Sequence, residues 1–103
     1  MLKINPNPTF DAEVKVTVPG DEKPGSVKLT FKYMSRKDLA AFWEKNKKKS
    51  DVDLFMNFVE GWKGIDAEFN AENVELFLNN YPASGQEITR QYQRLLLESR
   101  VKN

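Results

Sequence analysis

Asp66 and Glu68 are the first residues whose types and spacing could do chemistry. They lie two apart in a polar stretch between apolar runs. Paired carboxylates can hold a divalent cation or share acid–base work, but a cation needs six or more oxygen ligands and no third carboxylate follows at a fixed spacing. The simpler reading is a solvated turn. The sequence contains no histidine and no cysteine, so the commonest metal ligand and every thiolate are missing. Acid–base catalysis would then have to rest on carboxylates, lysines or tyrosines with strongly shifted pKa values. Gly61-Trp62-Lys63-Gly64 has neither the spacing nor the Lys-Ser/Thr ending of a phosphate loop. The expectation is a non-enzyme without cofactor or metal.

A second chemistry is suggested by charge. Lys45-Asn46-Lys47-Lys48-Lys49, with Arg90, Arg94 and Arg100, could contact phosphates. Sixteen basic residues stand against fifteen acidic ones, however, for a net charge of +1. Proteins that coat nucleic acid carry a larger basic excess. Cations closing a helix complement its dipole, and that is the preferred reading of the lysine run. A small nucleic-acid-binding module remains the rival.

The elements that must position these residues follow from periodicity. Phe10, Ala12, Val14, Val16 and Val18 alternate with polar residues, as do Val27, Leu29, Phe31 and Tyr33. Period two over both runs predicts an amphipathic β-hairpin, joined by the polar loop Pro19–Gly25. From Ser35 the period becomes helical. Ser35 and Asp38, then Ser50 and Asp53, read as N-terminal caps of two helices. The first carries Leu39, Phe42 and Trp43 on one stripe, and the second Val52, Phe55, Met56, Val59 and Trp62. Gly61 is expected to end that second helix at positive φ, with Trp62 folding back on the core. Asn70 should cap a third helix with Val74, Phe77, Leu78 and Tyr81, which Pro82 stops. Ser84 and Glu87 form a capping box for a last helix with Ile88, Tyr92, Leu95 and Leu96. The predicted class is α+β, an N-terminal antiparallel β-hairpin followed by a bundle of about four helices, as one domain over 1–103.

Hydrophobic residues make up 40% of the chain, which argues against disorder. No apolar run approaches the roughly 20 residues needed to span a bilayer. MLKINPNPTF lacks the apolar region of a signal peptide, so a reducing cytoplasm is expected. Leu54, Phe58, Leu76 and Leu97 fall off the main helical stripes. Surplus apolar surface on a small domain serves self-association or a partner.

Several motifs together carry a family resemblance. They are Asn5-Pro6 with Pro8-Thr9-Phe10, Val18-Pro19-Gly20, Phe31-Lys32-Tyr33, and the block Val59-Glu60-Gly61-Trp62-Lys63-Gly64-Ile65-Asp66. Phe69-Asn70, Glu72-Asn73, Leu78, Tyr81-Pro82, Ile88, Tyr92, Leu95, Arg100 and Lys102-Asn103 continue the match. By these residues the chain resembles the tail assembly chaperones of long-tailed bacteriophages, encoded just ahead of the tape-measure protein. The resemblance implies a protein that binds and solubilises the tape-measure protein and helps recruit tail-tube subunits. It also implies location in the host bacterial cytoplasm and absence from the mature virion. An ending at Lys102-Asn103 matches the short form expected of such a chaperone, beside which a frameshifted form would contact tube protein. Leu54, Phe58, Leu76 and Leu97 are then the expected client-facing residues, with self-association through the hairpin edge. A structural tail component, tube or completion protein, is the other alternative.

Overall fold

A computed structural model describes residues 1–98; Arg100 and Lys102-Asn103, part of the family pattern, lie outside the described residues. Strands β1 (Thr9–Val16) and β2 (Gly25–Lys32) form the expected hairpin. Their antiparallel register pairs Phe10 with Phe31, Ala12 with Leu29 and Val14 with Val27, so one face is continuously apolar. Every second residue is buried from Ala12 to Val16 and from Val27 to Phe31, as period two requires, with Phe10 partly covered. The opposite face carries Asp11 with Thr30, Glu13 with Lys28 and Lys15 with Ser26. There the Lys15 ammonium, 3.1 Å from Glu13, holds that carboxyl below its usual range.

Four helices follow: α1 (Arg36–Asn46), α2 (Asp51–Phe58), α3 (Ala71–Asn80) and α4 (Ser84–Leu97). Three of the four expected caps form. The Ser35 and Ser50 hydroxyls and the Asn70 side-chain oxygen Oδ1 accept from the backbone N–H three residues on, of Asp38, Asp53 and Asn73. The fourth does not. The last helix starts a residue early with Ala83 at its N-cap, and Ser84 turns inward, fully buried with its hydroxyl unpaired. Glu87, expected to close the capping box, reaches instead to the residue just after β1 and accepts from the Thr17 N–H at 2.8 Å.

The second helix is also shorter than its stripe. Phe58 ends it, and Val59–Lys63 forms a third strand, β3, antiparallel to β2 in the order β1-β2-β3. The valine at 59 and the tryptophan at 62 suit a helical stripe and a strand equally well. Pairing of β3 with the exposed edge of β2 decides between them. Gly61 therefore sits in a strand at negative φ, and the positive-φ residue is Gly64 (φ 90°), where the chain leaves β3. The Trp62 indole does fold back: its N–H donates to the Ala67 carbonyl at 2.7 Å, and its ring meets Phe69 and Phe77.

Helices α2 and α4 cover the apolar face of the sheet. Phe31, Phe58 and Tyr92 form an aromatic cluster at its centre, with Phe58 and Tyr92 stacked at 4.6 Å. All three are completely buried. The Tyr92 hydroxyl donates to the Lys32 carbonyl at 2.6 Å, which allows a phenol to sit there. Burial pushes its pKa up to about 12. Asn46, buried at the end of α1, donates to the Phe42 carbonyl and accepts from the Asn57 amide, tying α1 to α2.

Candidate partner-binding surface

The four residues expected to face a partner are placed in three different settings. Phe58 is part of the core, stacked on Tyr92 and Phe31 with no exposed surface. Its position off the α2 stripe reflects a helix contacted on two sides, by the sheet and by α3 and α4, so the stripe underestimates the buried arc. As a contact residue it is corrected to a floor residue. Leu54, half-buried, lines a groove of about 420 Å³ between α2, the α3–α4 corner and α4. Leu78 and Pro82 form its other apolar wall, and Asp51, Gln86, Arg90 and Gln93 supply a polar rim. Leu97, 66% exposed, follows Gln86, Arg90 and Gln93 at helical spacing, extending the same α4 face beyond the groove. Leu76, 55% exposed, is elsewhere: it borders a second hollow between α3 and the turn end of the hairpin.

The hairpin edge, the other expected interaction surface, is partly closed. The Gln91 side chain takes both the N–H and the carbonyl of Lys15, and Glu87 takes the N–H of Thr17. Helix α4 thus supplies the pairing that another strand would offer to this end of β1. Neither interaction was visible from periodicity, because both residues lie on polar positions of α4. A glutamine or glutamate four residues apart on one helix face is the only local signal.

The residues with chemical potential show no convergence. Asp66 and Glu68 are exposed in the loop after β3, and among the described residues no three or more histidines, cysteines or carboxylates could hold a metal ion. Lys45, Lys47, Lys48 and Lys49 are exposed around the end of α1, with Lys47 3.2 Å from Glu44. Among the described residues no helix is long and apolar enough to cross a membrane.

The block from Val59 to Asp66 is a structural clamp. Gly64 turns the chain, the Trp62 indole N–H donates to the Ala67 carbonyl and so ties the loop back on β3, and Asn73 on α3 donates to the Glu68 carbonyl at 2.8 Å. This fold presents open grooves of mixed apolar and polar lining on a small α+β scaffold. The family model described as phage tail assembly chaperone matches residues 1–103, so the chain belongs to that family. Membership in a chaperone family indicates interaction with tail proteins and a non-catalytic role. No curated protein and no solved structure matches the chain.

Proposed function

We propose that this chaperone binds the tape-measure protein, keeps it soluble before tail-tube subunits polymerise around it, and helps bring those subunits to it. The observation that carries the reading is the groove lined by Leu54, Leu78 and Pro82 and continued by Leu97. It is a groove with apolar walls and a polar rim left open between helices on a protein of this family. A long helical client exposes apolar stripes, and a groove with an apolar floor and polar rim accepts one or two side chains of such a stripe. Several copies along one client would hold it by avidity. The work is proposed to take place in the host bacterial cytoplasm, and the chaperone leaves the finished particle.

Co-expression with the tape-measure protein, or a long helical fragment of it, tests the reading. The client becomes soluble only in the presence of this chain, and Leu54→Ser with Leu97→Ser abolishes co-purification while leaving the circular dichroism melt in place. A client that stays insoluble, with this chain found in purified particles, moves a structural tail role to the front.

A further inference from the structure

The groove between α2, the α3–α4 corner and α4 has sides of opposite charge. Asp51 stands on the α2 side and Arg90 on the α4 side, both exposed at the rim. Among the described residues neither makes an ion pair, with the other or with a neighbour. The same signs continue along each side. Arg94 lies one turn beyond Arg90 on α4, and Glu75 one turn before Leu78 on α3. Both are exposed and, among the described residues, unpaired. Neither α2 nor α3 contains a basic residue. The one acidic residue within α4, Glu87, is turned the other way and bound to Thr17. Between the two charged sides the lining is apolar, with Leu54, Phe58 and Leu78.

We propose that the groove accepts a helix whose apolar stripe is flanked by acidic residues on one side and basic residues on the other, and accepts it in one direction only. The proposal rests on the reading that this groove holds a helical client, and adds the client's charge pattern and the sense in which it lies. An apolar stripe alone gives no direction: turned end for end, its side chains still enter between Leu54 and Leu78. The flanks do give one. On a helix lying along the groove, one flank faces α4 and the other faces α2 and α3, and reversal exchanges them. With acids toward Arg90 and Arg94 and bases toward Asp51 and Glu75, every facing pair is attractive; reversed, every pair is repulsive. An exposed pair of this kind is worth a factor of about 1.5 to 5 in affinity, and several changed together select one orientation. From Gln86 to Leu97 the α4 side runs roughly 17 Å, about three turns of a client helix.

Synthetic helical peptides of about 18 residues, five turns, test it on the full chain. Two mixed peptides share one leucine stripe; the first has glutamates on one flank and lysines on the other, and the second exchanges them. Two controls carry glutamate alone or lysine alone on both flanks. Fluorescence anisotropy gives the affinity, and a nitroxide at the peptide N-terminus broadens the amide signals near it. Both mixed peptides bind about fivefold or more tighter than either control. Their labels fall at opposite ends of the groove, one near Gln86 and the other near Leu97. With Arg90→Glu, Arg94→Glu, Asp51→Lys and Glu75→Lys combined, the two ends exchange. Arg90→Gln with Asp51→Asn, a milder change checked by its circular dichroism melt, weakens the preference for one end. Labels at both ends with either mixed peptide, or controls that bind as tightly, would overturn the proposal and leave the groove a helix site. Failure of all four peptides to bind, with client co-purification that survives Leu54→Ser, would remove the helix site and the proposal together. So would amide shifts at Leu54 and Leu78 that follow protein concentration without peptide, the mark of a second copy in the groove.

Discussion

The side-chain amide of Gln91 pairs with the backbone of Lys15 twice, accepting from its N–H at 2.9 Å and donating to its carbonyl at 2.7 Å. A helix residue thereby stands where a fourth strand would otherwise add. Replacing Gln91 with alanine should release both backbone groups. We expect a loss of about 1–3 kcal/mol and faster hydrogen exchange at the Lys15 amide. Gln91→Glu keeps the acceptor and loses the donor, so the amide should stay partly protected. Unchanged exchange in the alanine variant would mean that α4 does not guard this edge.

Tyr92 links stability to alkaline pH. Burial raises its pKa from an ordinary 10.0 to about 12. The folded state favours the neutral phenol, so the contribution is fully present below pH 10 and is lost as pH rises from 10 to 12. Denaturant midpoints should fall over that window in the wild-type chain. In Tyr92→Phe the fall should be smaller, with a pH-independent loss of about 1–2 kcal/mol from the unpaired Lys32 carbonyl. Difference absorbance at the phenolate band, wild type against variant, reads the titration directly.

Core and surface leucines and phenylalanines separate by cost. Phe58→Ala removes a fully buried ring stacked on Tyr92 and should cost about 3–5 kcal/mol. Leu97→Ser, at an exposed site, should stay within about 0.5 kcal/mol. Urea midpoints of the two variants decide whether Phe58 belongs to the core or to a contact surface.

The two glycines of the Gly-Trp-x-Gly block should respond differently. Gly64 has φ 90°, so alanine there forces a left-handed backbone and should cost about 1–2 kcal/mol. A Cβ at Gly61 meets nothing within 4 Å and needs no positive φ, so alanine there should be close to neutral. Equal thermal shifts for the two variants would contradict this assignment.

What the sequence determined by itself was whatever depends on near neighbours. Alternation in 10–18 and 27–33 is a property of the extended chain, and it specified the hairpin and its buried face. Ser35, Ser50 and Asn70 cap the residue three positions on, an interaction closed within one turn. Absence of histidine and cysteine bounded the chemistry before any fold was known. The tertiary structure decided everything that hangs on a distant partner. Val59 and Trp62 satisfy a helix or a strand, and the free edge of β2 chose the strand. Glu87 could close a local box, but the unpaired Thr17 N–H was the stronger claim on its carboxylate. Leu54 and Phe58 widen the apolar arc of α2 in sequence, which already points to a helix contacted on more than one side; packing decided that Phe58, and not Leu54, is fully covered. Leu54 and Leu76 looked alike in sequence, and they line different hollows because α2 and α3 turn their outer faces to different neighbours. Local spacing encodes which residues are apolar; only packing sets which of them find cover, because cover comes from elements far along the chain.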